Sequence, residues 1–134
     1  MGLLIDTDVW VLAERSASPL NLSRWQHLGE AYMSAVTASE LLVGVERANS
    51  AQRRAKRAAF VEHLLGSIAV LDFSFAVART HARMLAALPK SKTATAHDAL
   101  IAATALHHGC AVLTRNQADF QIFAGLAVEA FEMP

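Results

Sequence analysis

The sequence predicts an α/β fold with a mainly parallel central sheet of 4–5 strands flanked by about seven helices. Three observations predict it. Short apolar runs alternate with longer stretches of helical periodicity. Ser, Thr, Asp or Asn stands at the start of most of those stretches. The 134 residues, 54% of them hydrophobic, suffice for one domain over residues 1–134 with a core of its own.

Taken in order, Leu3-Leu4-Ile5, bounded by Asp6-Thr7-Asp8, reads as a buried strand. Val9, Trp10, Leu12 and Ala13 place a helix just after Asp6, and Pro19 breaks the chain. Leu22, Trp25 and Leu28 recur at helical spacing, and Gly29 closes that element. Residues 31–34 form the second strand. A helix over 37–48 turns Leu41, Leu42 and Val45 inward, and a basic helix over 51–65 ends at Gly66. Residues 68–71 are the third strand. Ser74 opens a helix that reaches Leu88, where Pro89 stops it, and 90–94 is a polar loop. Residues 95–108, apolar nearly all round, form a central helix closed by Gly109. Residues 111–114 make the fourth strand, 116–123 a short helix and 126–131 the last strand.

The single cysteine, Cys110, excludes a disulfide framework and a Cys-based zinc site. No run approaches the length of a membrane span, and the start lacks a basic region followed by an apolar one, so the expected compartment is the cytoplasm. Twelve basic residues balance twelve acidic ones, which argues against a uniformly basic nucleic-acid binder. The balance is uneven along the chain. Residues 1–46 carry a net charge of −4, residues 47–92 of +7 and residues 93–134 of −3.

Four acids fall at transitions between elements: Asp6 after the first strand, and Glu40, Asp98 and Asp119 in the first turns of three helices. In open α/β sheets, sites form beyond the carboxyl ends of the strands, where such acids converge. Clustered carboxylate oxygens suit Mg²⁺ or Mn²⁺. A second reading stands beside this one. Thr37-Ala-Ser-Glu40 matches a capping box, Thr95 with Asp98 and Asn116 with Asp119 imitate it, and Asp6-Thr7-Asp8 supplies N-caps. Periodicity leaves capping and catalysis both open.

Four segments occur in order: Leu3-Leu4-Ile5-Asp6-Thr7; residues 39–48 from Ser39-Glu40 to Arg47-Ala48; residues 97–106 from His97-Asp98 to Ala105-Leu106; and Leu113-Thr114-Arg115-Asn116-Gln117-Ala118-Asp119-Phe120. Together they resemble the PIN-domain ribonucleases, specifically the VapC-type toxins of bacterial toxin–antitoxin pairs. The resemblance implies a single PIN-like domain that hydrolyses RNA phosphodiesters with Mg²⁺, or Mn²⁺ as substitute. It assigns metal binding and catalysis to Asp6, Glu40 and Asp98, with Asp119 as the fourth acid. Thr114 would orient Asp6, and Asn116 would position a ligand or the substrate. The partners implied are RNA, a VapB-type antitoxin whose tail lies in an apolar groove, and a second copy in a homodimer. Leu22, Trp25, Leu28, Leu41, Leu42 and Val45 are candidates for that groove or for ordinary core. Asp8 stands where many relatives carry Asn or another small polar residue, and is read as an N-cap.

Arg53, Arg54, Lys56 and Arg57 form a basic run that suits either an RNA backbone or a solvated helix face, and Lys90 and Lys92 are a second RNA-binding candidate. Competing readings are a haloacid-dehalogenase-like phosphatase or phosphotransferase using Asp6-Thr7-Asp8, a receiver-type phosphoacceptor, a metal-free ribonuclease using two histidines, and a non-catalytic PIN-like scaffold that binds RNA or a partner.

Overall fold

Five parallel strands in the order β3-β2-β1-β4-β5 form the sheet of the computed structural model. The structure describes residues 1–16 and 19–132. The expected domain over 1–134 also takes in residues 17, 18, 133 and 134, which lie outside the described residues. The elements are β1 (Gly2–Ile5), α1 (Thr7–Ser16), a 3₁₀ helix (Ser23–Leu28), β2 (Glu30–Ser34), α2 (Ala35–Glu46), α3 (Ala51–Ser67), β3 (Ala69–Leu71), α4 (Phe75–Ala86), α5 (Ala96–His108), β4 (Cys110–Thr114), α6 (Gln117–Gln121) and β5 (Val128–Ala130). None of the described helices is long and apolar enough to cross a membrane.

β1 and β4 are buried along their whole length, as continuous apolar runs in a parallel sheet require. Their side chains alternate between two core layers. Leu3, Ile5, Ala111 and Leu113 face one layer with Trp10, Trp25 and Met33. Leu4, Cys110 and Val112 face the other with Val77, Ile101 and Phe120. Ala99, Ala102, Ala103 and Ala105 of α5 are all buried, so this small-sided helix sits against the sheet as its all-round apolar sequence demands.

Local differences from the sequence expectation have physical causes. Leu22, Trp25 and Leu28 recur every third residue, which is the 3₁₀ period, and the element is a 3₁₀ helix. Gly29 closes it at φ 105°, where a Cβ would stand 2.5 Å from the Met1 carbonyl oxygen. α2 begins two residues early because Ser34 caps it, its Oγ accepting from the Thr37 N–H at 3.0 Å. Thr37 is then an interior, fully buried residue, and the capping box with Glu40 does not form. α3 runs through Gly66, around which there is open space, to Ser67. Thr95 does cap α5, accepting from the Asp98 N–H at 3.2 Å. Asn116 precedes α6 without a side-chain capping bond.

Candidate active site

Because every strand runs the same way, all carboxyl ends lie along one edge of the sheet. β1 and β4 are neighbours, with Ile5 opposite Leu113, so the next residues, Asp6 and Thr114, meet. The Asp6 backbone N–H donates to the Leu113 carbonyl at 2.9 Å. Thr114 Oγ1 donates to Asp6 Oδ2 at 2.8 Å, and the Thr7 N–H donates to Asp6 Oδ1 at 2.8 Å. Both carboxylate oxygens are thus held, on a residue only 6% exposed.

α2 delivers Glu40. Thr7 Oγ1 donates to Glu40 Oε1 at 2.8 Å and lies 3.0 Å from Thr37 Oγ1. His97 Nδ1 lies 3.3 Å from Glu40 Oε2. The first turns of α5 and α6 add Asp98 and Asp119. An open cleft of about 710 Å³ is lined by Asp6, Glu40, Asp98 and Asp119, with Thr7, Asp8, Arg15, His97, Arg115 and Asn116.

The acids sense one another. Burial, then the neighbouring Asp8 charge, pushes the Asp6 carboxyl up to about 7 against the hydrogen bonds from Thr114 and Thr7; Asp98 adds to the rise. Burial also raises Asp98, opposed by Thr95 and reinforced by Asp119, Glu40 and Asp8. Among the described residues, no lysine or arginine forms an ion pair with any of these acids; the two pairs present are Arg57–Glu14 and His97–Glu40. Nor do three His, Cys, Asp or Glu side chains among the described residues form a group that would cage an ion directly. An all-oxygen, mutually repelling set on four elements fits a hard cation that keeps much of its water and takes one or two carboxylates, as Mg²⁺ does.

The structure therefore brings Asp6, Glu40, Asp98, Asp119 and Asn116 to one cleft, with Thr114 beneath Asp6. Asp8 is not an N-cap. It lies inside the first turn of α1, where Oδ2 accepts from Asn116 Nδ2 at 2.9 Å. Arg53, Arg54, Lys56, Arg57, Lys90 and Lys92 are not among the cleft's lining residues. Arg57 is committed elsewhere, at 3.4 Å from Glu14 and 2.9 Å from the Gly44 carbonyl. Arg53 donates to Asn49 at 2.9 Å, and Arg54 to the Glu46 carbonyl at 3.3 Å. The arginines at the cleft are Arg15 and Arg115, which sequence reasoning passed over. Arg115 lies inside the Thr-Arg-Asn motif, and Arg15 follows Val11 by one helical turn on the cleft-facing side of α1. The bond from Thr7 to Glu40, 33 positions away, has no signal in the sequence.

Trp25, Leu41 and Val45 are core, Leu22 and Leu28 pack partly buried against it, and Leu42 is exposed. A phosphotransferase reading loses support, since no lysine lines the cleft and Asp8 is bonded to Asn116. His107 lies instead beside Thr80, at 3.2 Å, in a separate cavity between α4 and α5.

The PIN domain family model matches residues 3–126. Ribonuclease VapC1 of Rickettsia felis is 40% identical over 129 residues, which cover 96% of this chain and 95% of that protein. A crystal structure of VapBC-5, a member of the VapBC family of toxin-antitoxin systems from Mycobacterium tuberculosis, superposes with a TM-score of 0.73 at 28% identity, covering 98% of each chain. VapBC2 of Rickettsia felis, bound to a DNA fragment from its promoter, has the same fold, with a TM-score of 0.86 at 19% identity over 98% of this chain and 100% of that one. With a family model matched along nearly its whole length and a VapC relative at 40% identity, the chain belongs to the PIN domain family as a VapC-type member.

Proposed function

We propose that this chain is a divalent-metal-dependent endoribonuclease acting in the cytoplasm as the toxin of a toxin–antitoxin pair. The observation that carries it is the convergence of four carboxylates from four places in the chain on one cleft, with no lysine or arginine ion pair to them among the described residues. Asp6, Glu40, Asp98 and Asp119 would hold hydrated Mg²⁺, or Mn²⁺ in its place, in part through its waters; when bound it supplies Lewis acidity toward the phosphodiester and offsets the carboxylate charge. Thr114 and the Thr7 N–H orient Asp6; Thr7 Oγ1 and His97 orient Glu40. Arg15 and Arg115 give phosphate a positive approach. Water attacks phosphorus in line and the 3′ oxygen leaves, giving 5′-phosphate and 3′-hydroxyl ends. Purified chain should cut RNA in Mg²⁺ and stop in EDTA. Cleavage that persists in EDTA would favour a metal-free histidine mechanism, and binding without cleavage a scaffold.

Two apolar surfaces suit the two protein partners. Leu42 and Val43 of α2 share an open groove with Val70 of β3, and Phe73 and Phe75, the latter 74% exposed, follow directly. A second copy would cover this face. Between α1 and α3, a cavity of about 270 Å³ is lined by Trp10, Leu20, Leu22, Phe60, Leu64 and Ile68. The buried Trp10 Nε1 has no hydrogen-bond partner among the described residues, and an inserted antitoxin segment would bring a backbone carbonyl for it. Phe75→Asp should shift the free chain from dimer to monomer in sedimentation and spare antitoxin capture. Phe60→Asp should do the reverse. Identical behaviour of both variants and the parent would remove both assignments.

A further inference from the structure

The proposed function leaves one acid of the cleft without a role, and its contacts give it one. Asp8 sits one residue into α1 with both oxygens engaged across the cleft: Oδ2 accepts from Asn116 Nδ2 at 2.9 Å, and Oδ1 from the Arg115 N–H at a long 3.4 Å. Asn116 is held from behind as well, its N–H donating to Thr114 Oγ1 at 3.0 Å while that hydroxyl donates to Asp6 Oδ2. Asp6, Thr114, Asn116 and Asp8 therefore make a closed circuit between the β1–α1 and β4–α6 junctions. Asn116 has φ −116° and ψ 65°, outside both helix and strand; its carbonyl accepts from the Asp119 N–H at 3.0 Å to open α6, while its side chain makes no capping bond and is left for this circuit.

We propose that Asp8 is a positioning residue that sets the direction of the Asn116 amide. Asn116 turns its NH₂, the donor end of the amide, to Asp8 Oδ2, which leaves its carbonyl oxygen, Oδ1, free of that contact. Asn116 then offers the cleft an acceptor oxygen, for water or a ribose hydroxyl, rather than a phosphate-binding donor. Asp8 acts through Asn116 and needs no contact with substrate. The effect on cleavage rests on the ribonuclease reading; the effect on the amide does not.

Asp8→Asn keeps the shape but puts a donor in place of one of the two acceptor oxygens, so the amide of Asn116 is no longer held one way round. Residues that orient a site's ligands commonly cost about 10–100-fold when changed, and a fall in kcat of that size with KM for RNA little changed is expected. The exchanged pair, Asp8→Asn with Asn116→Asp, restores a carboxylate–amide bond of reversed polarity and should recover most of the loss. Asn116→Asp alone sets two carboxylates against each other and should be worse than either. In the metal-free parent, the Asn116 side-chain ¹H–¹⁵N signals should be slow to exchange, and in Asp8→Asn they should move and exchange faster. Unmoved amide signals, or an exchanged pair no better than the singles, would overturn the assignment. A parent without nuclease activity whose amide signals nonetheless respond to Asp8→Asn would overturn the ribonuclease reading and leave the positioning role standing.

Discussion

Asp6→Asn should lower RNA cleavage by on the order of 10²–10³-fold, the scale of losing one preorganised charged group from an active site, with secondary structure unchanged by circular dichroism. Asp6 is the most buried acid of the cleft, and both of its oxygens have defined donors. Asn is the same size and retains an acceptor for the Thr7 N–H, while Thr114 Oγ1 can accept from its NH₂ instead of donating. What disappears is the negative charge. A variant that cuts RNA as fast as the parent would rule out Asp6 as a site residue.

The metal-free protein should lose stability as pH rises from about 4 to about 7, and a divalent cation should return it. The sign follows from the raised Asp6 carboxyl. The folded chain holds that proton more tightly than the unfolded chain, so the contribution is fully present below 3.8 and lost as pH passes through about 7. The displacement corresponds to on the order of 4 kcal/mol. Asp98 and Asp8, also raised, add in the same direction. For a chain of this size the expected fall in Tm between pH 5 and pH 8 in EDTA is on the order of 10 °C. Asp6→Asn removes the largest part of that fall and should melt above the parent at pH 8. Mg²⁺ at pH 8 should raise the parent's Tm and leave the variant's nearly where it was. Equal melting of parent and variant across this range would show that burial and its neighbours do not raise the Asp6 carboxyl.

The alternation of apolar runs with helical stretches was legible because a buried parallel strand is a short continuous apolar run. Leu3-Leu4-Ile5 and Ala111-Val112-Leu113 announce β1 and β4 by themselves. Ends were less legible. Ser34 displaced Thr37 as the cap of α2 because a serine at the end of a buried strand reaches the same N–H, while Thr37 was needed inside. The basic run of α3 looked like a phosphate track because charge can be counted along a chain. Whether a guanidinium is spent on Glu14 and a carbonyl, as Arg57 is, cannot be counted that way.

By itself the sequence determined the layered α/β architecture and the four acids placed where strands hand over to helices. It left the role of each acid open, since a cap and a site carboxylate occupy the same position at a helix N-terminus, favoured there by the same dipole. The tertiary structure adds what the sequence does not carry, long-range contacts that bring the acids to one cleft. Thr114 holds Asp6 across 108 positions of chain, Thr7 holds Glu40 across 33, and Asn116 claims Asp8 across 108. Those bonds exist only because β1 pairs in parallel with both β4 and β2, which gathers the strands' carboxyl ends on one edge of the sheet.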